Sequence, residues 1–339
     1  MGMTEASAER EEVSAGVESA TETSALLLLI SPLARGAYFR EYIAVAEAEL
    51  RAHFPELDLR HEFIGGLDFL AAQLPRASAQ QLRRLSFVQG LFERRAGALY
   101  PVDAGPDFLL PEGLVWGEKY RGKTNELLTQ LALNLALCFD ESAPRKGRTL
   151  LDPMAGRGTT LFWAARYGIS SVGVERDREA LEHFTRRGKR QTKLDKIKHK
   201  HQRGQRGPKQ KGGAGRSAEF SWAGVSTCLV TGDSAALEPL LAGQRFSLIV
   251  SDLPYGVQFL DADGRRDPLE GIRRCAPGWA ARLLPGGVMA LSFNQLQPKR
   301  RPLIELFKAE GLELIPVDVS HRVSESIHRS IALFKRPLT

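Results

Sequence analysis

Two segments hold the side chains best suited to chemistry: residues 149–160, TLLDPMAGRGTT, and residues 246–257, FSLIVSDLPYGV. Each opens on a short apolar run bounded by turn residues, the pattern of a buried strand. Each then places a carboxylate, Asp152 or Asp252, at the strand's end, ahead of a Gly- or Pro-rich loop. In open α/β sheets ligands bind just beyond the carboxyl ends of the strands, so both loops are expected at one edge of one sheet. In the first, Gly156 and Gly158 let the backbone turn sharply and approach a ligand with no Cβ in the way. Asp152 is placed to accept from that loop or from an ammonium group, and Thr159 starts a helix whose first amides can face a ligand. Glu175 in SVGVERD, about twenty residues on, suits the hydroxyls of a ribose. Asp233 in VTGDS could accept from an adenine amino group. In the second segment, Leu253 precedes Pro254, which favours an extended conformation that could turn the Leu253 carbonyl outward. Tyr255 adds an aromatic face. With Asp252 these groups would accept both N–H bonds of an exocyclic amine and stack on its ring, stacking worth about 1–3 kcal/mol. A phosphate-binding loop fits poorly, because GxxxxGK followed by Ser or Thr is missing, as is the third glycine of the dinucleotide fingerprint.

The surrounding pattern predicts the frame. From residue 149 strands (149–151, 171–174, 228–231, 246–250, 288–293) alternate with helices (159–167, 177–186, 235–242, 271–284, 302–310). Two last strands, 312–319 and 330–334, have no helix between them and should be antiparallel neighbours. Such alternation predicts an α/β fold with a mostly parallel sheet covered on both faces. Upstream, residues 25–102 read as β-α-β-β-α-β, a ferredoxin-like α+β domain. Its second helix is expected from the stripe Leu82, Leu85, Val88 and Phe92, and its last strand at 98–102. Residues 1–24 have little to bury and read as a disordered tail, and 103–116, with Gly105-Pro106 and Pro111, as a linker. An apolar helix over 127–139 follows; its polar entry, KYRGKTNE, could line a site or simply be a hydrated helix start.

Composition narrows the classes. Of 339 residues 43% are apolar, enough for a real core, so one large and one small domain are expected. The cysteines 138, 228 and 275 are isolated, which argues against zinc or a disulfide framework and for a reducing, cytoplasmic setting. The apolar run 25–30 is too short for a signal-peptide core or a membrane span, and Ala6 stands where a myristoylation motif needs Ser or Thr. Charge is uneven. Residues 186–216 hold thirteen Lys/Arg against the single acid Asp195, a local charge of +12 that leaves the remainder at −5 in a chain of net +7. Such a block reads as a basic loop that grips a polyanion, or as a solvated linker.

DPMAGRGTT and DLPYG resemble the first and fourth motifs of class I S-adenosylmethionine-dependent amino-methyltransferases, and most of all the THUMP-linked tRNA guanosine-N2 methyltransferases. The resemblance covers residues 117–339, and the pattern at 25–102 also fits that family. It implies a Rossmann-like sheet, with Asp152, Gly156, Gly158 and Thr159 at the methionine part of the cofactor. It also implies Glu175 at the ribose, Asp233 at the adenine, and Asp252, Leu253, Pro254 and Tyr255 at the target base. It implies an RNA substrate, tRNA first; the chain departs from the family in having too little sequence between 102 and 117 for a full THUMP domain, and the basic segment 186–216 is expected to replace that domain's electrostatic grip on RNA. The methyl of such a cofactor is already activated, so no metal is called for. His321, Arg322, His328 and Arg329 could contact phosphate, but read better as surface residues. A DNA adenine-N6 or cytosine-N4 methyltransferase shares both motifs and would flip its base out of a duplex. A non-catalytic RNA-binding protein on the same fold is a third reading.

Overall fold

Strand β6 (Thr149–Asp152) and strand β11 (Phe246–Asp252) lie side by side and parallel, Leu150 opposite Leu248 and Leu151 opposite Ile249. Side chains alternate between the two faces of a strand, and the packing follows that rule. Leu150, Leu248 and Val250 enter one apolar cluster, and Leu151 and Ile249 the other. Both faces are covered, which is why these strands are near-continuous apolar runs. The computed structural model describes residues 23–105, 108–116, 125–207, 215–253 and 268–339.

Around the central pair the sheet runs β13-β15-β12-β11-β6-β7-β10-β9-β8, with β14 also on β15. Here β7 is Ser170–Glu175, β8 Lys200–Arg206, β9 Gly215–Trp222 and β10 Val225–Thr231. Beyond β11, β12 is Leu283–Asn294, β13 Glu313–Ile315, β14 Ser320–Ser324 and β15 Ile327–Lys335. Strands β10, β7, β6, β11 and β12 are parallel, and β15 inserts antiparallel between β12 and β13. The expected terminal antiparallel pair is thus present, with β14 added. Helices α5 (Thr159–Arg166), α6 (Arg178–Leu194), α7 (Leu237–Leu241), α8 (Pro268–Arg282) and α9 (Arg300–Ala309) connect these strands. Among the described residues no helix is long and apolar enough to cross a membrane.

The described parts of residues 186–216 are mostly helix and strand, where the sequence reading expected a loop. Helix α6 continues to Leu194, and β8 and β9 form an antiparallel pair that extends the sheet beyond β10. Phe220 and Trp222, two residues apart on β9, are fully buried and stack at 5.2 Å. Phe220 also meets Phe184 of α6 edge-on at 5.6 Å and His201 of β8 at 4.7 Å. Aromatic burial, invisible in a charge count, folds the segment; residues 208–214 lie outside the described residues.

The N-terminal strands β1 (Thr23–Ile30), β2 (Arg60–Ile64), β3 (Leu67–Pro75), β4 (Val88–Arg95) and β5 (Ala98–Pro101) make an antiparallel sheet of order β2-β3-β1-β4-β5. Helices α1 (Pro32–Tyr38) and α2 (Tyr42–His53) link β1 to β2. The expected second helix is one turn, α3 (Ala79–Leu82). Val88 and Phe92 lie in β4, and 98–101 is a fifth strand, not the fourth. The apolar spacing that suggested a helix is produced by a turn followed by a strand. Helix α4 (Glu126–Phe139) packs between this sheet and the large one, and one apolar cluster holds Leu28, Leu50, Leu131 and Leu248 together. Inside it, fully buried Glu49 accepts from Ser86 N and Oγ and from Asn134 Nδ2 (3.0, 2.6 and 2.7 Å), and burial pushes its carboxyl up to about 7. Of the expected tail, residues 1–22 lie outside the described residues, as do residues 117–124, which hold most of KYRGKTNE (119–126).

Candidate active site

Because β10, β7, β6 and β11 are parallel, their carboxyl ends share one edge. On β7, register aligns Gly173 with Asp152 of β6 on one side and Glu175 with Thr231 of β10 on the other. Ser251, one residue before Asp252, donates its hydroxyl to Asp152 Oδ1 at 2.7 Å. The predicted acids Asp152, Glu175, Asp233 and Asp252 therefore lie on one side of the molecule, along one sheet edge.

Asp152 is 2% exposed, and its Oδ1 also accepts from Met154 N at 3.1 Å. Burial pushes this carboxyl up to about 7, partly offset by hydrogen bonds from Ser251, Thr160 and Met154. It braces the base of the glycine turn. That turn is a left-handed one: Gly156 has φ +51° and Gly158 φ +81°, a region that favours glycine. The two glycines differ. A Cβ on Gly158 would sit 2.6 Å from the Phe184 ring, whereas one on Gly156 would meet nothing within 4 Å. Gly158 is thus needed for packing, and Gly156 leaves open space above the turn. Thr159 is the buried first residue of α5.

Half-buried Glu175 accepts from Gly156 N through Oε2 (2.8 Å) and from Asp177 N through Oε1 (2.9 Å). Each oxygen keeps acceptor capacity. Exposed Asp233 accepts from Ala235 N at 2.9 Å, and its loop is tied to the second strand by Gly232 N donating to the Glu175 carbonyl (2.8 Å). Trp279 Nε1 donates to Ser234 Oγ at 3.0 Å and fixes the same loop. Gly173, which sequence reasoning passed over, is what lets the glycine turn lie on the sheet, since a Cβ there would come 2.6 Å from Ala155 Cβ. A glycine inside a strand marks such close approach.

Asp252 has a partner that the sequence reading did not name. Arg329 of β15 grips it through both guanidinium nitrogens, Nη1–Oδ1 2.5 Å and Nη2–Oδ2 3.2 Å. Leu253 is buried in the core, and its N–H donates to the Ser292 carbonyl at 2.8 Å. Pro254 and Tyr255 lie outside the described residues. The reading of residues 321–329 as surface fails for two of the four: His321 is 2% and Arg329 4% exposed. His321 meets Tyr38 of α1 edge-on at 5.3 Å, and burial together with Arg329 pushes its imidazole down to about 4. No local signal in the sequence links Arg329 to Asp252, because the pair forms only when β15 inserts beside β12.

Counted from the third strand of the parallel set, the order β10-β7-β6-β11-β12-β15-β13 with β15 reversed, and the glycine turn after β6, define the Rossmann-like class I methyltransferase fold. Residues 121–266 match the model of the family UPF0020, RMKL-like methyltransferase domain. The structure is similar to TrmN from Thermus thermophilus (17% identity, 83% of this chain and 60% of that chain, TM-score 0.42). It is also similar to the 16S rRNA N2 G1207 methyltransferase RsmC of T. thermophilus (18%, 88% and 62%, TM-score 0.38). A third is the magnesium protoporphyrin IX methyltransferase ChlM from Synechocystis PCC 6803 (12%, 66% and 88%, TM-score 0.43). The chain thus spans about three fifths of the two Thermus proteins, and these likenesses concern fold alone. No curated protein matches the sequence.

Proposed function

We propose that the protein is an S-adenosylmethionine-dependent methyltransferase acting on an exocyclic base amine of RNA, with guanosine N2 in tRNA as the first choice. The observation that carries this reading is the shared edge: the open glycine turn at Gly156 and the Asp252 carboxylate stand on neighbouring strands joined by the Ser251–Asp152 hydrogen bond. The residues present fit the cofactor. The turn leaves room above Gly156, Glu175 retains acceptor capacity for ribose hydroxyls, and exposed Asp233 can accept from an adenine amino group. Bound there, the cofactor supplies a sulfonium methyl that needs no further activation.

The chain's own groups would then position the amine. Asp252 would accept from the amine through its carboxylate, whose orientation Arg329 fixes with a bidentate guanidinium. Tyr255 and Pro254 follow directly in sequence and would bound the ring. The amine's surplus proton passes to Asp252 or to water. In water-excluded surroundings such fixed acceptors contribute more than they would in bulk solvent.

Transfer of labelled methyl groups to bulk tRNA, rRNA and duplex DNA tests the reading. Label in RNA, recovered as N2-methylguanosine, supports it. Label in DNA alone would replace it with the base-flipping DNA reading, and no label with RNA still bound would leave the non-catalytic one.

A further inference from the structure

We infer that the outer edge of the large sheet, helix α6 together with the β8–β9 pair, is a cationic track for the phosphate backbone of RNA that leads to the candidate active site. The inference rests on the RNA reading above and deepens it.

The geometry turns a charge count into a surface. On α6, positions 182, 186, 189 and 193 fall on one stripe, because residues three and four apart share a helix face. Glu182 marks where that stripe points: Arg203 of β8 pairs with it at 2.7 Å. Exposed Arg186, Lys189 and Lys193 therefore line the side of α6 next to the edge strand. Lys189 is also close enough to His201 of β8 to push its imidazole down, after burial itself. Between helix and strand runs a furrow of about 570 Å³, lined by Leu181, Glu182, Arg203, Gln205 and Arg216 among others.

Other cations of the segment are structural. Arg187 donates to the Val115 carbonyl at 2.5 Å and lies 5.2 Å from the Phe162 ring, and Arg206 pairs with Glu219 at 3.7 Å. The stripe is different: among the described residues no carboxylate forms an ion pair with Arg186, Lys189 or Lys193, and Arg186 makes a hydrogen bond with His183. Gly188 lets α6 lie directly on β9, because a Cβ there would run into the Phe220 ring. Direction follows from register. Arg206 lies opposite Gly215, and Arg216 N donates to Thr231 Oγ1 at 2.9 Å, at the carboxyl end of β10. Thr231 stands opposite Glu175. The furrow thus reaches the same sheet edge as the glycine turn. Lysines on an edge strand also block edge-to-edge pairing, but that role asks for nothing on helix α6, where Arg186, Lys189 and Lys193 stand.

The test is the triple variant Arg186→Gln, Lys189→Gln, Lys193→Gln. Glutamine matches lysine and arginine in helix propensity, so the fold should hold, and an unchanged Kd for S-adenosylmethionine checks it. A control triple, Lys299→Gln, Arg301→Gln, Lys308→Gln, removes the same charge from exposed positions at and within α9. With bulk tRNA as the probe, each lost phosphate contact lowers the slope of log K against log salt by about 0.7–0.9, so the track variant should lose about 2–3 in slope and tenfold or more in affinity. The control should stay near wild type. In methyl transfer, the track variant should raise KM for tRNA and leave kcat in place. Unchanged affinity and slope in the track variant, or an equal loss in the control, would overturn the track while leaving the methyltransferase reading standing. A wild-type protein with no salt-dependent tRNA binding would overturn both.

Discussion

Replacing Arg329 by methionine keeps much of the side-chain volume and removes both nitrogens that hold Asp252. Charge-assisted hydrogen bonds contribute about 1.5–3 kcal/mol each, and breaking one partner of a buried ion pair costs about 3–5 kcal/mol. The Arg329 side chain is 5% exposed but that of Asp252 is 17% exposed, so water can solvate part of the orphaned carboxylate. We therefore expect Arg329→Met to lower unfolding stability by about 2–4 kcal/mol. Asp252→Asn should cost a similar amount, since it removes the carboxylate that faces a buried guanidinium. The double variant removes both charges, so its cost should fall short of the sum by about 2 kcal/mol. Urea unfolding of the four proteins, followed by circular dichroism with m-values compared, closes the cycle. Arg329→Lys should be intermediate, because an ammonium cannot engage both oxygens at once. If Arg329→Met costs under about 0.5 kcal/mol and the two changes add, the pair contributes nothing and the proposed fixing of Asp252 is wrong. A second readout separates positioning from mere stability: kcat should fall in Arg329→Lys at a temperature where it is fully folded, with the cofactor Kd unchanged.

The two glycines of the turn should behave oppositely. Gly158→Ala forces a Cβ to 2.6 Å from Phe184 at φ +81°, and should destabilise by about 2–4 kcal/mol in thermal or urea unfolding. Gly156→Ala meets no atom within 4 Å and should cost only about 1 kcal/mol, yet weaken cofactor binding tenfold or more by calorimetry. Glu175→Gln should weaken the same binding with little effect on RNA affinity, measured by filter retention. For pH, Glu49 and Asp152 are both pushed up to about 7 by burial. A carboxyl raised on folding contributes stability that is full below its unfolded value, about 4, and is lost as pH rises through about 7. The urea midpoint should therefore fall between pH 5 and pH 8, and Glu49→Gln with Asp152→Asn should flatten that fall.

What the sequence shows and hides follows from range. The turn after β6 was legible because its physics is local: two glycines, a preceding acid and a following helix lie within a dozen residues. Glu175 was legible because strand alternation puts an acid at the next strand's end. Long-range partners were not. Ser251 and Asp152 stand 99 residues apart and Arg329 and Asp252 stand 77 apart, and only the sheet order brings them together. The same holds for Glu49, which reaches Ser86 and Asn134 across the packing of two sheets. The basic segment misled because its charges face solvent while the residues that fold it, Phe184, Phe220 and Trp222, are few and spread over two elements. The stripe from Leu82 to Phe92 misled for another reason. Spacings of three and four also arise when a turn is followed by a strand, and length alone would have had to arbitrate.

The most direct measurement is methyl transfer from S-adenosylmethionine to bulk tRNA by the wild type and by Asp252→Ala, with digestion to nucleosides and mass analysis. The account predicts N2-methylguanosine with the wild type and a loss of at least a hundredfold with the variant, its cofactor Kd unchanged. Equal product from both proteins, or a wild type that binds the cofactor and transfers no methyl to any RNA, would contradict it.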